Sequence, residues 1–325
     1  MVECMFAVTC TSFDPDNPLN GLTVGEVTES EVPAGWAKVQ IKAAALNHHD
    51  LWSLKGVGLA ADQLPMILGC DAAGIDEDGN EVVVHAVIAS PEWVGDETLD
   101  PKRSLLSERY PGTLAEYVAV PKRNLIAKPA SLSWEEAACL PTAWLTAYRM
   151  LFGKAKVRPG DRVLVQGAGG GVATALIVLA RAAGCVVYVT SRDEAKQAKA
   201  RELGAHVAVG SGDRLPDKMD VVMETVGAAT WSHSVKSLRP GGVIVISGAT
   251  SGPMPPAELT RIFFLQLEVI GSTMGSRDEL ESLLRFCDSS GVRPVIDSVR
   301  PLADARSAFE QMASGNVVGK LVLSV

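Results

Sequence analysis

Residues 163–175 read VLVQGAGGGVATA: an apolar run enters a cluster of glycines, and small apolar residues leave it. Strand, glycine turn, helix is the arrangement that a dinucleotide phosphate needs. Glycines permit the tight turn and a close backbone approach to the pyrophosphate, while the helix N-terminus supplies free N–H groups and partial positive charge. The spacing departs from a strict Gly-x-Gly-x-x-Gly. Gly167 and Gly169 supply the first half, but Val172 lies three residues beyond Gly169. The best register is Ala168-x-Gly170-x-x-Ala173, with the helix starting near Gly171. This register predicts cofactor contacts from Ala168, Gly169, Gly170, Gly171 and Val172.

The surroundings of this loop set the fold class. From residue 161 onward, β-rich runs (RVLVQG, VVYVTS, HVAVG, MDVVMETV, GGVIVISG, LEVIGST) alternate with helical segments at 172–183, 193–203, 230–238 and 256–265. Such alternation means right-handed βαβ crossovers and a parallel sheet covered on both faces. Residues 1–125 instead carry short β-type runs (WAKVQIKAAAL, EVVVHAVIA, TLAEYVAVP) punctuated by Gly, Pro and Asp, the texture of a mostly antiparallel β domain. The rhythm changes near 130, where SLSWEEAACLPTAWLTAYRMLF opens on a Ser133/Glu136 capping box and continues at helical spacing. The tail adds helices and a final apolar strand, GKLVLSV, which either extends the first domain or closes the second.

Composition narrows the function. The chain has 325 residues, 47% hydrophobic and 21% charged, with a formal net charge of −8. That balance suits a globular enzyme and argues against a general nucleic-acid or acidic-membrane partner. MVECMFAVTC has no secretory pattern, and the richest apolar stretch, 172–189, is broken by Arg181 and Gly184. Six cysteines form no CxxC pair, so free thiols in a reducing cytoplasm are expected.

The end of the second strand decides which dinucleotide is expected. An NAD-selective site places Asp or Glu there to hold the ribose 2′-hydroxyl. Here Thr190 and Ser191 occupy the strand end, followed by Arg192, with Lys196 one turn into the next helix. A hydroxyl and two cations bind a 2′-phosphate that an acid would repel. The expected cofactor is therefore NADPH. ETVG and SGAT end successive strands at the carboxyl edge, which places Val226, Gly227, Gly248, Ala249 and Thr250 along the nicotinamide half.

With the loop, AAALNHHDLWSLKG (43–56), LGCDAAG (68–74), GTLAEYVAVP (112–121), LPTAWLTAY (140–148) and METVG (223–227) occur in order. In these motifs the chain resembles the medium-chain dehydrogenases/reductases over nearly its full length, and within them the zinc-free quinone oxidoreductase-like members. The resemblance implies an α/β protein with a GroES-like β-barrel catalytic domain (1–125 and 277–325) and a doubly wound Rossmann domain (126–276). The nicotinamide would lie in the cleft between them. It also implies a homodimer through the Rossmann domains. GSTMGS (271–276) is similar to the segment that contacts the carboxamide in relatives, which adds Ser272 and Thr273 to the cofactor residues.

Zinc-dependent relatives use a Cys, a His and a further Cys or Asp. The resemblance places Asn47 at the first of these, Cys70 at the second with Asp71 after it, and Cys139 to Thr142 near the third. The lobe 86–112 holds no cysteine, so a structural zinc is excluded on ligand count. No metal is expected, although Cys70, His48 or His49, Asp50 and Cys139 are zinc-capable types. His48 and His49 are adjacent, so an extended segment would point them to opposite faces. Hydride transfer without a metal suits quinones and α,β-unsaturated carbonyls, small electrophiles that spread the incoming charge themselves.

Some relatives have a Tyr shortly after the Asn; Trp52 stands there and is no acid. Asn47, His48, Asp50 and Thr142 are the expected catalytic residues, against a polar turn that caps the backbone. Trp93 and Tyr110 either shape the substrate pocket or pack at the surface. The competing functions are a zinc alcohol dehydrogenase using Cys70 and a nucleotide-binding sensor or crystallin-like protein with little turnover.

Overall fold

Alternating burial fixes the register of the first strands. In the computed structural model, which describes residues 4–325, β1 (Cys4–Cys10) pairs antiparallel with β2 (Leu22–Thr28). The reading of the N-terminus extends to residues 1–3, outside the described ones. Strand β3 (Trp36–Ala45) buries Ala37, Val39, Ile41 and Ala43 at period two, then runs wholly buried to Ala45. Helix α1 (His48–Leu54) follows, then β4 (Met66–Ile67), β5 (Asp71–Asp76), β6 (Glu81–Val84), β7 (Val87–Ile88), β8 (Ser104–Leu105), β9 (Tyr117–Pro121) and β10 (Leu125–Ala127). Strand β1 is central in a small sheet of order β2-β1-β4, and β7 pairs with β8.

The Ser133/Glu136 capping box forms and starts α2 (Trp134–Ala138). The long helix implied by the apolar spacing is interrupted. Wide π-type turns at Leu140–Trp144 and Arg149–Lys154 flank α3 (Leu145–Tyr148). Pro141 has no N–H to continue an α-helical ladder, which accounts for the first interruption. Because α2 packs on β3 and β5, the chain divides at Ala143/Trp144 where the sequence reading had put 125/126.

Trp144–Gly275 form the second unit. Its strands β11 (Arg162–Gln166), β12 (Val186–Thr190), β13 (Val207–Val209), β14 (Met219–Glu224), β15 (Leu238–Ile246) and β16 (Glu268–Gly271) form one parallel sheet of order β13-β12-β11-β14-β15-β16. Helices α4 (Gly171–Ala182), α5 (Glu194–Glu202), α6 (Trp231–Ser237) and α7 (Leu259–Phe264) alternate with them. The order reverses beside β11, so the switch point falls at the glycine turn, where open α/β sheets bind ligands.

The chain then rejoins the first unit through α8 (Arg277–Ser290), β17 (Ile296–Pro301), α9 (Ala305–Ser314) and β18 (Lys320–Ser324). The final strand extends the first unit's sheet, whose order is β10-β6-β5-β3-β18-β17 with β9 also on β3. Strand β17 was not expected. Its sequence IDSVRP alternates half-buried and exposed residues, as an edge strand does. Among the described residues no helix is long and apolar enough to cross a membrane.

Candidate functional site

In the first unit the chemistry gathers where β3 gives way to α1. Asn47 is the N-cap of α1, and Asp50 at N3 accepts its backbone N–H at 2.8 Å. The other Asp50 oxygen accepts from Gly69 N at 3.0 Å. Gly69 has φ +102°, and a Cβ there would lie 2.6 Å from Thr113 Oγ1, so only glycine brings that N–H to the carboxylate. Both Asp50 oxygens are therefore occupied by backbone, which is the capping arrangement. Burial pushes the Asp50 carboxyl up to about 7, against those two N–H bonds and the charge of Lys320.

The capping box also corrects the expected geometry of the histidines. His48 and His49 are the first residues of α1, not part of an extended segment. His48 is exposed at its edge, yet protein packing around the ring and the nearby Lys320 charge lower its pKa. His49 is half-buried, its Nε2 4.0 Å from Glu108 Oε1, and burial pulls it down to about 4. Burial thus favours the neutral form of both imidazoles.

Asn47 is itself buried and its amide is fully engaged. Its Oδ1 accepts from Lys320 Nζ at 2.7 Å and its Nδ2 donates to Asp71 Oδ2 at 2.9 Å. Lys320 also donates to Asp71 Oδ2 at 2.9 Å and to Leu46 O at 2.7 Å. Lys320 is 2% exposed and Asp71 0%. Thr142 stands apart from this network: its Oγ1 is buried with no hydrogen-bond partner, as is Asp71 Oδ1. Trp93 Nε1 donates to Asp96 O, and Tyr110 packs against Trp36 with ring centroids 4.9 Å apart.

The zinc-capable residues do not form a zinc site. Among the described residues no group of three or more His, Cys, Asp and Glu converges. Cys70 Sγ donates to Leu106 O at 3.2 Å, and Cys139 Sγ to Glu135 O at 3.1 Å. Burial raises both thiols, Cys139 to about 12. Asp71 is already paired with an ammonium. This donor set does not fit a tetrahedral zinc.

Two of these groups give opposite pH dependences. The lowered His49 pKa contributes stability above pH 6.5 that is lost as pH falls toward 4. The raised Asp50 pKa works the other way, with stability present below about pH 4 and lost as pH rises to about 7. Relative to wild type, His49→Gln should therefore lose more stability at pH 7 than at pH 4.5. Asp50→Asn should compare better at pH 7 than at pH 4.5, the two differences being about 2–3 kcal/mol. Urea unfolding at the two pH values checks both signs.

In the second unit the predicted cofactor residues do converge. Ala168 and Gly169 are buried, Gly170 is exposed as the N-cap of α4 without a side-chain cap, and Gly171 opens the helix. A Cβ on Gly170 would meet nothing within 4 Å, so the mouth of the turn is open, and the residues fit a pyrophosphate. Ser191 and Arg192 lie just past β12, and Lys196 is in the first turn of α5. Thr190 is different: it is 0% exposed and its hydroxyl donates to Gln166 Oε1 at 2.5 Å, facing inward. Val226–Gly227, Gly248–Thr250 and Ser272–Thr273 follow β14, β15 and β16 at the same carboxyl edge. Ser272 Oγ is buried without a partner.

A buried relay that the sequence reading missed ties these strand ends together. Gln166 Nε2 donates to Ser234 Oγ at 2.9 Å, and Ser234 donates to Glu224 Oε2 at 2.5 Å. Glu224 Oε1 accepts from Val226 N and Gly227 N at 2.8 and 3.0 Å. Gly227 needs φ +90° and has Gly252 O where a Cβ would stand, 2.6 Å away. Lys320 was missed too, although a lysine heading an otherwise apolar strand is a legible anomaly.

The chain thus joins an antiparallel β unit to a doubly wound sheet with an open glycine turn at its switch point, the architecture on which a dinucleotide can bind. The chain matches the family described as alcohol dehydrogenase GroES-like domain over residues 33–130 and that described as zinc-binding dehydrogenase over residues 171–289. It is 32% identical to zinc-type alcohol dehydrogenase-like protein C1773.06c of Schizosaccharomyces pombe, over 91% of this chain and 94% of that one. It is also 32% identical to 2-methylene-furan-3-one reductase of Solanum lycopersicum, over 94% of this chain and 74% of that one. A solved structure of an NAD-dependent alcohol dehydrogenase is similar with TM-score 0.91 at 35% identity, covering 99% of this chain and 100% of that one. The chain belongs to the medium-chain dehydrogenase/reductase superfamily, with a GroES-like and a Rossmann-like unit.

Proposed function

We propose that this protein is an NADPH-dependent reductase of conjugated carbonyls, quinones or α,β-unsaturated carbonyls, and works without zinc. The observation that carries this reading is the first unit's donor set. Where a metal would need thiolate and imidazole ligands, the chain presents the amide of Asn47, a Cys70 thiol bonded to Leu106 O, and an Asp71 carboxylate paired with Lys320. Without a Lewis acid the substrate itself must delocalise the incoming charge, which a conjugated carbonyl does. The tomato relative's name describes reduction of such a conjugated ketone.

NADPH, when bound, supplies the hydride. The chain's own part is to hold and to exclude. Backbone N–H groups of Gly171 and Val172 at the start of α4 take the pyrophosphate, while Ser191, Arg192 and Lys196 take the 2′-phosphate. The Val226–Gly227 and Gly248–Thr250 turns, with Ser272 and Thr273, line the nicotinamide half. The unpartnered Thr142 hydroxyl donates to the substrate oxygen on which charge develops. Asn47 and Asp50 position this segment through their buried bonds, and solvent supplies the proton through His48 at the exposed edge.

The test is steady-state turnover of NADPH and NADH with a panel of quinones and small enones, set against NADP⁺ with primary alcohols. Reduction of a conjugated carbonyl with NADPH supports the reading. Alcohol oxidation that requires added zinc overturns it, and NADPH binding without turnover of any panel member favours a binding protein instead.

The same reading includes assembly as a homodimer through the second unit. Strand β16 is the free edge of the parallel sheet, with Val269 exposed, and α7 exposes Leu259, Phe263 and Phe264. An unpaired edge flanked by apolar surface suits a second copy of the sheet. Phe263→Asp combined with Val269→Asp should turn a dimer into a monomer in analytical ultracentrifugation; a monomeric wild type would contradict the assembly.

A further inference from the structure

We propose that Lys320 is the built-in cation of the first unit, a positioning residue that ties Asn47 to Asp71 as a bound metal would by ligation. An ammonium has three hydrogens. Here all of them are directed at acceptors, Leu46 O, Asn47 Oδ1 and Asp71 Oδ2, at 2.7 to 2.9 Å. The ammonium is buried, and its strand β18 is hydrogen-bonded to β3, on which Leu46 and Asn47 follow. The groups it joins are far apart in the chain: 46–47 precede α1, Asp71 opens β5, and Lys320 comes from the C-terminal return. Among the described residues no other cation holds any of the three acceptors in this way.

Burying an ammonium and a carboxylate is costly unless they are paired, and here every hydrogen of the ammonium is satisfied while Asp71 uses one oxygen, its Oδ1 having no partner. The cation is explained by what it holds. It fixes the amide of Asn47, and with it the N-cap from which α1 and the histidines depart. The consequence for turnover rests on the reductase reading; the consequence for cation binding does not.

Lys320→Ala removes the ammonium and leaves a cavity lined by the same three oxygen acceptors. The full-length variant should melt at a lower temperature than wild type. Methylammonium chloride should restore the melting temperature saturably, whereas tetramethylammonium chloride of equal ionic strength, which has no N–H, should not. Lys320→Met fills the cavity and should be insensitive to both. If the wild type reduces a conjugated carbonyl, kcat of Lys320→Ala should fall at least tenfold and recover with methylammonium, while the NADPH KM changes less than threefold.

Equal responses to the two salts, or a Lys320→Met variant as stable and active as wild type, overturn the proposal. Methylammonium-specific stabilisation in a protein that turns over no conjugated carbonyl sustains it and removes the reductase reading alone. If Lys320→Ala does not fold, the cycle of Lys320→Met, Asp71→Asn and the double variant decides. The double variant should be more stable than either single one, and strict additivity would overturn the pairing.

Discussion

Replacing Asp71 by asparagine should lower the stability of the protein by about 3–5 kcal/mol, the largest single effect expected at this site. The change is nearly isosteric, so no cavity forms and packing is untouched. What is lost is the countercharge of a fully buried ammonium. Lys320 keeps two neutral acceptors, Leu46 O and Asn47 Oδ1, and no anion within hydrogen-bond distance. A surface pair would contribute a small fraction of this, because water solvates whichever charge is left behind. Lys38 and Glu29, a partly exposed pair in the same unit, supply the internal control, and Glu29→Gln should cost less than about 1 kcal/mol. Denaturant titration of both variants measures the contrast. Similar losses would mean that the buried pair contributes no more than an exposed one.

The second large effect concerns cofactor choice. Wild type should bind NADPH at least tenfold more tightly than NADH, a difference of about 1.4 kcal/mol. Arg192→Ala should remove most of it. A charge-assisted hydrogen bond to a phosphate contributes about 1.5–3 kcal/mol, so NADPH affinity should fall roughly tenfold to a hundredfold while NADH affinity stays within about twofold. Ser191 and Lys196 continue to flank the site, and Ser191 Oγ already accepts from Asp193 N, which keeps it at the strand end. Thr190→Val tests the inward orientation seen here. Its hydroxyl faces Gln166, so the substitution should cost stability and leave the NADPH-to-NADH ratio unchanged. Nicotinamide fluorescence titration gives all six affinities.

Much of this was legible in the chain because the second unit is built from local signals. Period-two runs, glycine turns and the switch to helical spacing mark each βαβ step, and every strand named from the sequence between 161 and 275 is present within a few residues. The Ser133 capping box was legible for the same reason, since its partners are three residues apart. The GroES-like unit was readable mainly through its resemblance, because its strands are short and its pairings distant. Strand β18 joins β3 across more than 270 positions, and no local pattern says which sheet GKLVLSV will choose.

The candidate site divides along the same line. Gly167, Gly169, Gly170, Gly171 and Gly227 stand in turns that the sequence places, because turn chemistry is local. Residues that act through a distant partner were misjudged or missed. Asn47 looks like a cleft-lining amide in NHHD, but Lys320 and Asp71, which occupy its side chain, lie elsewhere in the chain. His48 and His49 open a helix because Asp50 closes a capping box on Asn47, the backbone-capping turn that the sequence offered as the alternative to a catalytic role. The Gln166–Ser234–Glu224 relay joins three separate segments and leaves no spacing to recognise.

The central claim, reduction of a conjugated carbonyl without a metal, is tested most directly by isotope transfer in chelator-treated protein. The protein would be stripped with chelator, checked for less than about a tenth of a metal ion per chain, and mixed with NADPH deuterated at C4 and a small enone. The account predicts deuterium at the β-carbon of the reduced product at the rate of the untreated protein, with no gain on adding zinc. Loss of transfer on stripping and its return with zinc would contradict it.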